Sequence, residues 1–386
     1  MKKNYILSIT AIAIISVLYS SCSTNTYMGR FVKWRASDIE DYKKFPKYSF
    51  AASVAPYYFT AGFERDLDHI KVSKKKGQKQ PLLDILENSG TTAFIVLKND
   101  TIIYEKYLNG YKRGSVNTSF SVAKSITSLV MAKAVDDRLI NSADDLVIKY
   151  MPDLLQSDPM YSHLKISHLL NMKSGLQFKD HDLPWGDKAK AYYCPRLRQR
   201  IKELPIKNKP GSKFKYNPYN PILAGMILER TSGVSPAQYF EQKIWNRLGM
   251  EYAGSWSMDS KESSMTKMES GLNIRAIDLA KLARLVLYKG NWNGNQVISE
   301  NQLNDLFEIS SEDRVKDFGN EIYYKKYWWI YSPDGQHASI ISGWGHLGQY
   351  LFIFPKEKTI IIRMGKKTGK IESWGTVFKE IVALIQ

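Results

Sequence analysis

The chain has 386 residues, 44% hydrophobic and 24% charged. That excludes a short disulfide-held scaffold and a disordered polar chain, and leaves a globular protein of one or two domains with a large core. Its 55 basic residues against 38 acidic ones give a formal net charge of +17, with only 2 cysteines and neither a Cys-x-x-Cys pair nor a His-Glu-x-x-His run, so the pattern gives no support to a bound metal.

The N-terminus reads as a targeting signal. Lys2 and Lys3 precede a mostly apolar run from Ile6 to Leu18, which ends on Tyr19-Ser20-Ser21-Cys22. The run is too short for a membrane span and suits a signal-peptide core. Its end resembles a bacterial lipoprotein signal, in which Cys22 becomes the lipid-bearing first residue. Tyr19 departs from the small or aliphatic residue usual at that place, which keeps a plain secretory signal as the second reading. Export to the bacterial cell envelope sets nucleic acid aside as a partner. The positive charge then points to anionic headgroups beside the anchor or to an acidic cell-wall polymer. With Cys22 lipidated, Cys194 in Tyr192-Tyr193-Cys194-Pro195 is the one thiol left, and it reads as a packed small hydrophobe.

Residues 22–80 read as an N-terminal extension and linker, rich in aromatics (Tyr48, Phe50, Tyr57, Tyr58, Phe59) that pack it on the main domain. Its densest charge cluster, Lys71 to Lys79, reads as a solvated linker. From residue 92 to 97 and from 101 to 107 the β-branched and aromatic runs, joined by Lys98-Asn99-Asp100, predict an antiparallel hairpin. A buried helix follows from Ser121 over Val122 to Val135. The region from about 136 to 265 reads as a mainly helical insertion, with helical spacing over 166–172, 221–231 and 236–248. Another helix is predicted over 276–287. Strand signals return at 327–331, 339–342, 349–354 and 359–363, and a last helix runs over 378–385. A sheet drawn from both ends of the chain, interrupted by a helical insertion, puts a site at their junction.

The chemistry centres on Ser119-Phe120-Ser121-Val122-Ala123-Lys124. A bare SxxK pattern says little, since it recurs at Ser73/Lys76, Ser162/Lys165, Ser212/Lys215 and Ser264/Lys267. Ser73 lies in the lysine run, and the other three sit in polar surroundings of turns and helix edges. Ser121 instead opens a helix that is apolar nearly all round, so Lys124 is a lysine in low dielectric. Burial disfavours its charged form, and a spacing of three puts its amine on the face of Ser121. The alternative is a first-turn lysine that snorkels to water. A nucleophile at a helix N-terminus also has backbone N–H groups close by.

Two later segments can complete such a site. Gly211 to Asn220 is a turn-rich loop before a helix, suited to hold Tyr216 over a cleft, where it would serve as general base and later as acid to the leaving group; the alternative is a packing tyrosine. Gly343-Trp344-Gly345-His346-Leu347-Gly348 matches GxGxxG by letter, but a strand follows it where a dinucleotide loop needs a helix. Its glycines would let a substrate backbone approach. His346 would then contact a substrate carboxylate or the Ser/Tyr network, and the Gln349 N–H would complete an oxyanion hole with that of Ser121. Trp344 and Gly348 belong to the same substrate-binding set.

Taken together, these pieces resemble the serine β-lactamase and penicillin-binding-protein superfamily, in its class C-like esterase and amidase branch. The resemblance covers residues 81–386. It includes His168 to Leu176, Pro210-Gly211, and Ser270-Gly271-Leu272 leading into Asp278-Leu279-Ala280, and Gly345 to Tyr350 looks most like the branch containing 6-aminohexanoate-dimer hydrolases. It implies an α/β (α+β) transpeptidase-like fold, an antiparallel sheet flanked by helices. It also implies Ser121 as the acylated serine, Lys124 as its base partner and Tyr216 as the tyrosine of a Tyr-x-Asn motif, with no cofactor. Pro218 stands where that motif has asparagine, a loss that Asn217 or Asn220 would have to make good. His346 stands where β-lactamases carry a lysine, removing a fixed charge for a substrate carboxylate. Both departures argue against efficient β-lactam hydrolysis.

The expectation is a lipid-anchored serine hydrolase that cleaves a small ester, amide or short peptide through an acyl-Ser121 intermediate. The alternatives are a peptidase acting on cell-wall D-amino acid peptides and a catalytically silent binding module of the same fold. Trp185, Tyr192, Tyr193 and Trp344 are expected to wall the cleft and to suit an apolar acyl group.

Overall fold

The structure is a computed structural model that describes residues 24–62, 65–181, 185–319 and 321–385. The predicted signal segment and Cys22 lie outside the described residues.

In chain order the first elements are helix α1 (Tyr27–Trp34), strands β1 (Lys47–Phe50), β2 (Thr60–Ala61), β3 (Lys71–Lys75) and β4 (Gln78–Pro81), and helix α2 (Leu82–Asn88). Then come β5 (Thr91–Lys98), β6 (Thr101–Tyr107), β7 (Asn117–Thr118) and helix α3 (Val122–Asp136). The helical stretch holds α4 (Ile166–Leu170), α5 (Asp187–Tyr193), α6 (Leu197–Lys202), α7 (Tyr219–Ser232) and α8 (Pro236–Lys243). After it come β8 (Gly254–Ser257), β9 (Leu272–Ile274), α9 (Ala276–Leu287), the small hairpin β10 (Asn291–Trp292) and β11 (Asn295–Gln296), and α10 (Glu300–Phe307). Strands β12 (Ile322–Lys325), β13 (Trp328–Tyr331), β14 (Ile340–Gly345), β15 (Gln349–Phe354) and β16 (Thr359–Gly365) lead to α11 (Trp374–Leu384).

The main sheet has the order β12-β13-β14-β15-β16-β5-β6-β2. It is antiparallel except where β2 joins β6 in parallel. As expected, it draws strands from both sides of the helical stretch. Alternation explains its two buried faces. Ala93, Ile95 and Leu97 of β5 face the core around α3, while Phe94 and Val96 face the opposite cluster formed with α2 and α11. With apolar residues on both faces, these strands can only sit between two layers of helices.

Helix α3 is buried along almost its whole length, from Val122 to Ala132. A helix without a polar face has to run through the middle of a core, and α3 packs on α7, α10 and β14.

The structure departs from the sequence reading at several points. Lys71 to Lys79 forms the β3–β4 hairpin instead of a solvated linker. Val72 at its root is fully buried, and Ser73 bonds Glu380 of α11 through both its N–H and its Oγ; the lysines crowd near the turn, where charge stays in water. A second sheet, β1-β8-β9-β7, went unread. Its strands have two to four residues each and come from three distant parts of the chain, so no local period could reveal it. The helix predicted over 236–248 stops at Lys243 and continues as a single tight turn over Trp245–Arg247.

Candidate active site

The second sheet positions Ser121. Strand β7 pairs with β9, and the Ser119 N–H donates to Leu272 O at 2.8 Å. Phe120 then takes φ +45°, and α3 begins one residue after Ser121. A left-handed phenylalanine is a strained turn that persists only where its surroundings enforce it. Here β7 on one side and α3 on the other do so, and the turn lifts Ser121 out of the sheet while Lys124 stays inside.

Lys124 is 3% exposed. Its Nζ donates to Ser121 Oγ at 2.8 Å and to the backbone carbonyl of Glu269 at 2.7 Å. The first amides of α3 are taken up locally, Val122 N–H by Ser119 O, Ala123 N–H by Phe120 O and Lys124 N–H by Ser121 O. That leaves the Ser121 N–H without an acceptor among the described residues, available to an incoming oxygen.

Tyr216 lies across the cleft, its ring centroid 5.1 Å from Lys124 Nζ. It stacks at 20° on Trp329, which stacks at 11° on Trp344. Tyr324 and Tyr327 lie close by, and burial drives both phenols well above their ordinary range, so they remain neutral. Neither asparagine replaces the motif residue lost to Pro218. Asn217 bonds Leu176 O and the Tyr219 N–H, and Asn220 accepts from Ser174 Oγ. The carbonyl of Glu269 is the second partner that Lys124 has.

Ser121, Lys124, Tyr216, Pro218 and His346 all line one cleft of about 890 Å³. Tyr192 and Tyr193 of α5 line it too, as expected, and so do Phe120 and Phe178. Other predicted residues are placed elsewhere. Trp185 is 59% exposed and lies off the cleft lining. Trp344 buttresses Tyr216 through Trp329 and does not reach the lining. Gln349 is fully buried, its side chain bonding Gly365 O and His346 O. Gly348 gives its carbonyl to Arg363 Nη1 at 2.6 Å.

The glycines of β14 let the protein's own chain pack closely. A Cβ on Gly345 would lie 2.4 Å from Ser119 O, and one on Gly343 would lie 2.9 Å from Ser125 Oγ. Strand β14 is thereby pressed against the Ser119–Ser121 turn, which brings its end at His346 to the cleft. Buried Arg363, whose guanidinium stacks 4.1 Å from the Trp374 ring, holds the loop after it through Gly348 O, Ser89 O and Lys367 O.

Sequence reasoning missed a buried ion pair at the back of the site. Glu269 Oε1 lies 2.6 Å from Lys267 Nζ, both side chains being 3% exposed or less, and also accepts from Ser270 Oγ. Lys267, taken as half of a polar SxxK pair, is in fact 1% exposed. The usable signal was its flanking by Met265 and Met268, both fully buried. The serines of the other SxxK pairs have local partners: Ser162 Oγ bonds Pro159 O, Ser212 Oγ bonds Lys209 O and Ser264 Oγ bonds Lys261 O.

The chain is similar to known proteins in sequence and in fold. A family model described as Beta-lactamase matches residues 86–383. The 6-aminohexanoate-dimer hydrolase of Paenarthrobacter ureafaciens is 24% identical over 72% of this chain and 73% of its own length. Among solved structures, one from Bacillus anthracis, provisionally named a 6-aminohexanoate-dimer hydrolase, superposes with a TM-score of 0.78 at 22% identity, over 92% of this chain and 93% of that one. A penicillin-binding protein from Bacillus halodurans superposes with a TM-score of 0.62 at 18% identity, over 78% and 99%.

Proposed function

The chain belongs to the Beta-lactamase family, and from that premise we propose that it is a serine hydrolase cleaving an ester or amide through an acyl-Ser121 intermediate. The observation that carries the reading is the 2.8 Å contact between Lys124 Nζ and Ser121 Oγ on the wall of an 890 Å³ cleft. In the amine form of Lys124 the contact reverses, and Nζ takes the hydroxyl proton as Oγ attacks the substrate carbonyl carbon. The oxyanion formed is received by the backbone N–H groups of Ser121 and Gln349. Collapse breaks the bond to the leaving oxygen or nitrogen, with the proton delivered through Lys124 and Tyr216. Water then attacks the acyl ester, its proton returns along the same route, and Ser121 is regenerated.

Support for hydrolase chemistry over a silent binding module comes from the assembled Ser121, Lys124 and Tyr216. The cell-wall peptidase reading has less support, since His346 is exposed and carries no fixed charge for a substrate carboxylate. The protein is further proposed to be exported and lipid-anchored through Cys22; replacing Cys22 by serine should then move it from the membrane fraction to the soluble one.

The deciding experiment is intact mass of the protein lacking residues 1–22 after exposure to a fluorophosphonate serine probe, beside Ser121→Ala, with penicillin as a second reagent. One adduct, abolished by Ser121→Ala, is expected. A stable penicillin adduct would move the reading toward cell-wall peptides, and no adduct on folded protein would sink the hydrolase assignment.

A further inference from the structure

Helix α1 lies outside the matched family region of residues 86–383, yet it forms a wall of the active-site cleft. Phe31 and Val32 line the cleft, followed by Arg35, Ala36 and Ser37 as the chain leaves the helix. The wall is firmly seated. Thr26 caps α1 by accepting the Gly29 N–H, and buried Arg30 donates to Asp259 O and Thr24 O. Trp34 packs edge-on against Phe45 at 4.8 Å, and the Tyr193 hydroxyl donates to Arg35 O at 2.7 Å.

From this wall a continuous row of rings leads to the nucleophile. Phe31 meets Tyr193 at 5.8 Å, Tyr193 meets Tyr192 at 4.9 Å, Tyr192 meets Phe120 at 6.2 Å, and Phe120 meets His346 at 5.3 Å. Phe120 is the residue before Ser121 and lines the same cleft, so the row runs from the neighbour of Ser121 to α1. Two acidic groups of the lining are already matched, Asp180 by Lys188 at 3.0 Å and Glu269 by Lys267 at 2.6 Å. Val32, by contrast, leaves 53% of its surface uncovered while facing the cleft.

We infer that α1 is a specificity-determining wall and that the substrate carries an extended apolar acyl group, laid along this row from Ser121 to Phe31 and Val32. The inference rests on the acyl-Ser121 reading and adds to it the class of acyl group. Apolar surface removed from water along the row would favour a long acyl group over acetyl, by up to about fourfold per methylene where burial is complete.

The test compares kcat/KM for p-nitrophenyl octanoate and p-nitrophenyl acetate in the protein from residue 23 onward. The expected ratio is about tenfold or more in favour of octanoate. Val32→Asp, a change at an exposed position, should lower that ratio about fivefold or more, and Phe31→Ala should lower it too. Val54→Asp is the control, since Val54 is fully exposed and away from the cleft; it should leave the ratio as it is. A wild-type ratio near one, or a ratio unmoved by both Val32→Asp and Phe31→Ala, overturns the assignment of α1 while acyl-Ser121 chemistry stands. Cleavage of neither ester, together with no fluorophosphonate adduct, overturns both.

Discussion

Glu269 and Lys267 show what a single residue decides here. Each is buried, each neutralises the other, and Glu269 also offers its carbonyl to Lys124. Taking away one member of such a pair strands the other charge, at a cost of about 3–5 kcal/mol, whereas removing both together can be nearly neutral. Glu269→Gln should therefore lower the melting temperature sharply, and adding Lys267→Met should restore most of it. Equal melting of Glu269→Gln and wild type would show that the pair is not stressed by burial. The residues that were readable from sequence are those whose relation is local. Ser121 and Lys124 lie one turn apart at the start of an apolar helix, so spacing and helical context together put their side chains on one face. His346 was harder to place, because which residue of the β14–β15 connection lines the cleft depends on how closely Gly343 and Gly345 let β14 approach the Ser119–Ser121 turn and α3.

Among the elements, α3, β5, β6, α9, β15 and β16 were legible because each shows an unbroken period of its own. Helices such as α5 and α6 have only seven and six residues, and in so short a stretch an apolar stripe cannot be told from chance. Charge helps to hold this region together. Asp153 pairs with Lys202 at the end of α6 and with Arg230 on α7. Hydrogen bonds from these two cations pull the Asp153 carboxyl from its usual 3.8 down to about 2. A lowered acid pKa stabilises the fold fully above the free value and loses that contribution as pH falls through the folded value. Half-exposed partners limit the effect to below about 1 kcal/mol. Asp153→Asn should thus melt slightly below wild type at pH 6, and the difference should close as the pH approaches 2. A gap that persists unchanged at pH 2 would assign the loss to packing.

For the molecule as a whole, the N-terminal extension is part of the fold it precedes. Phe50 of β1 is 1% exposed and packs on Phe240 and Trp245, β2 extends the main sheet, and α1 walls the cleft. Removing a buried phenylalanine side chain costs about 3–5 kcal/mol, and Phe45, Phe50 and Phe59 are all buried. A chain starting at residue 81 should fail to unfold cooperatively in calorimetry, while a chain starting at residue 23 should melt in one transition. Matching transitions in the two would mean that the extension is only an appendage.

By itself the sequence determined the contact between Ser121 and Lys124, the hairpin before it, the buried helix that carries it and the sheet drawn from both sides of the helical stretch. These follow from spacing and period, which act between near neighbours in the chain. Only the tertiary structure decided that a sheet of four short strands pins Phe120, that the carbonyl of Glu269 accepts from Lys124, and that α1 walls the cleft. Such contacts join residues far apart in the chain, and they form because burying both partners outweighs the entropy lost in bringing them together, a balance that no local pattern records.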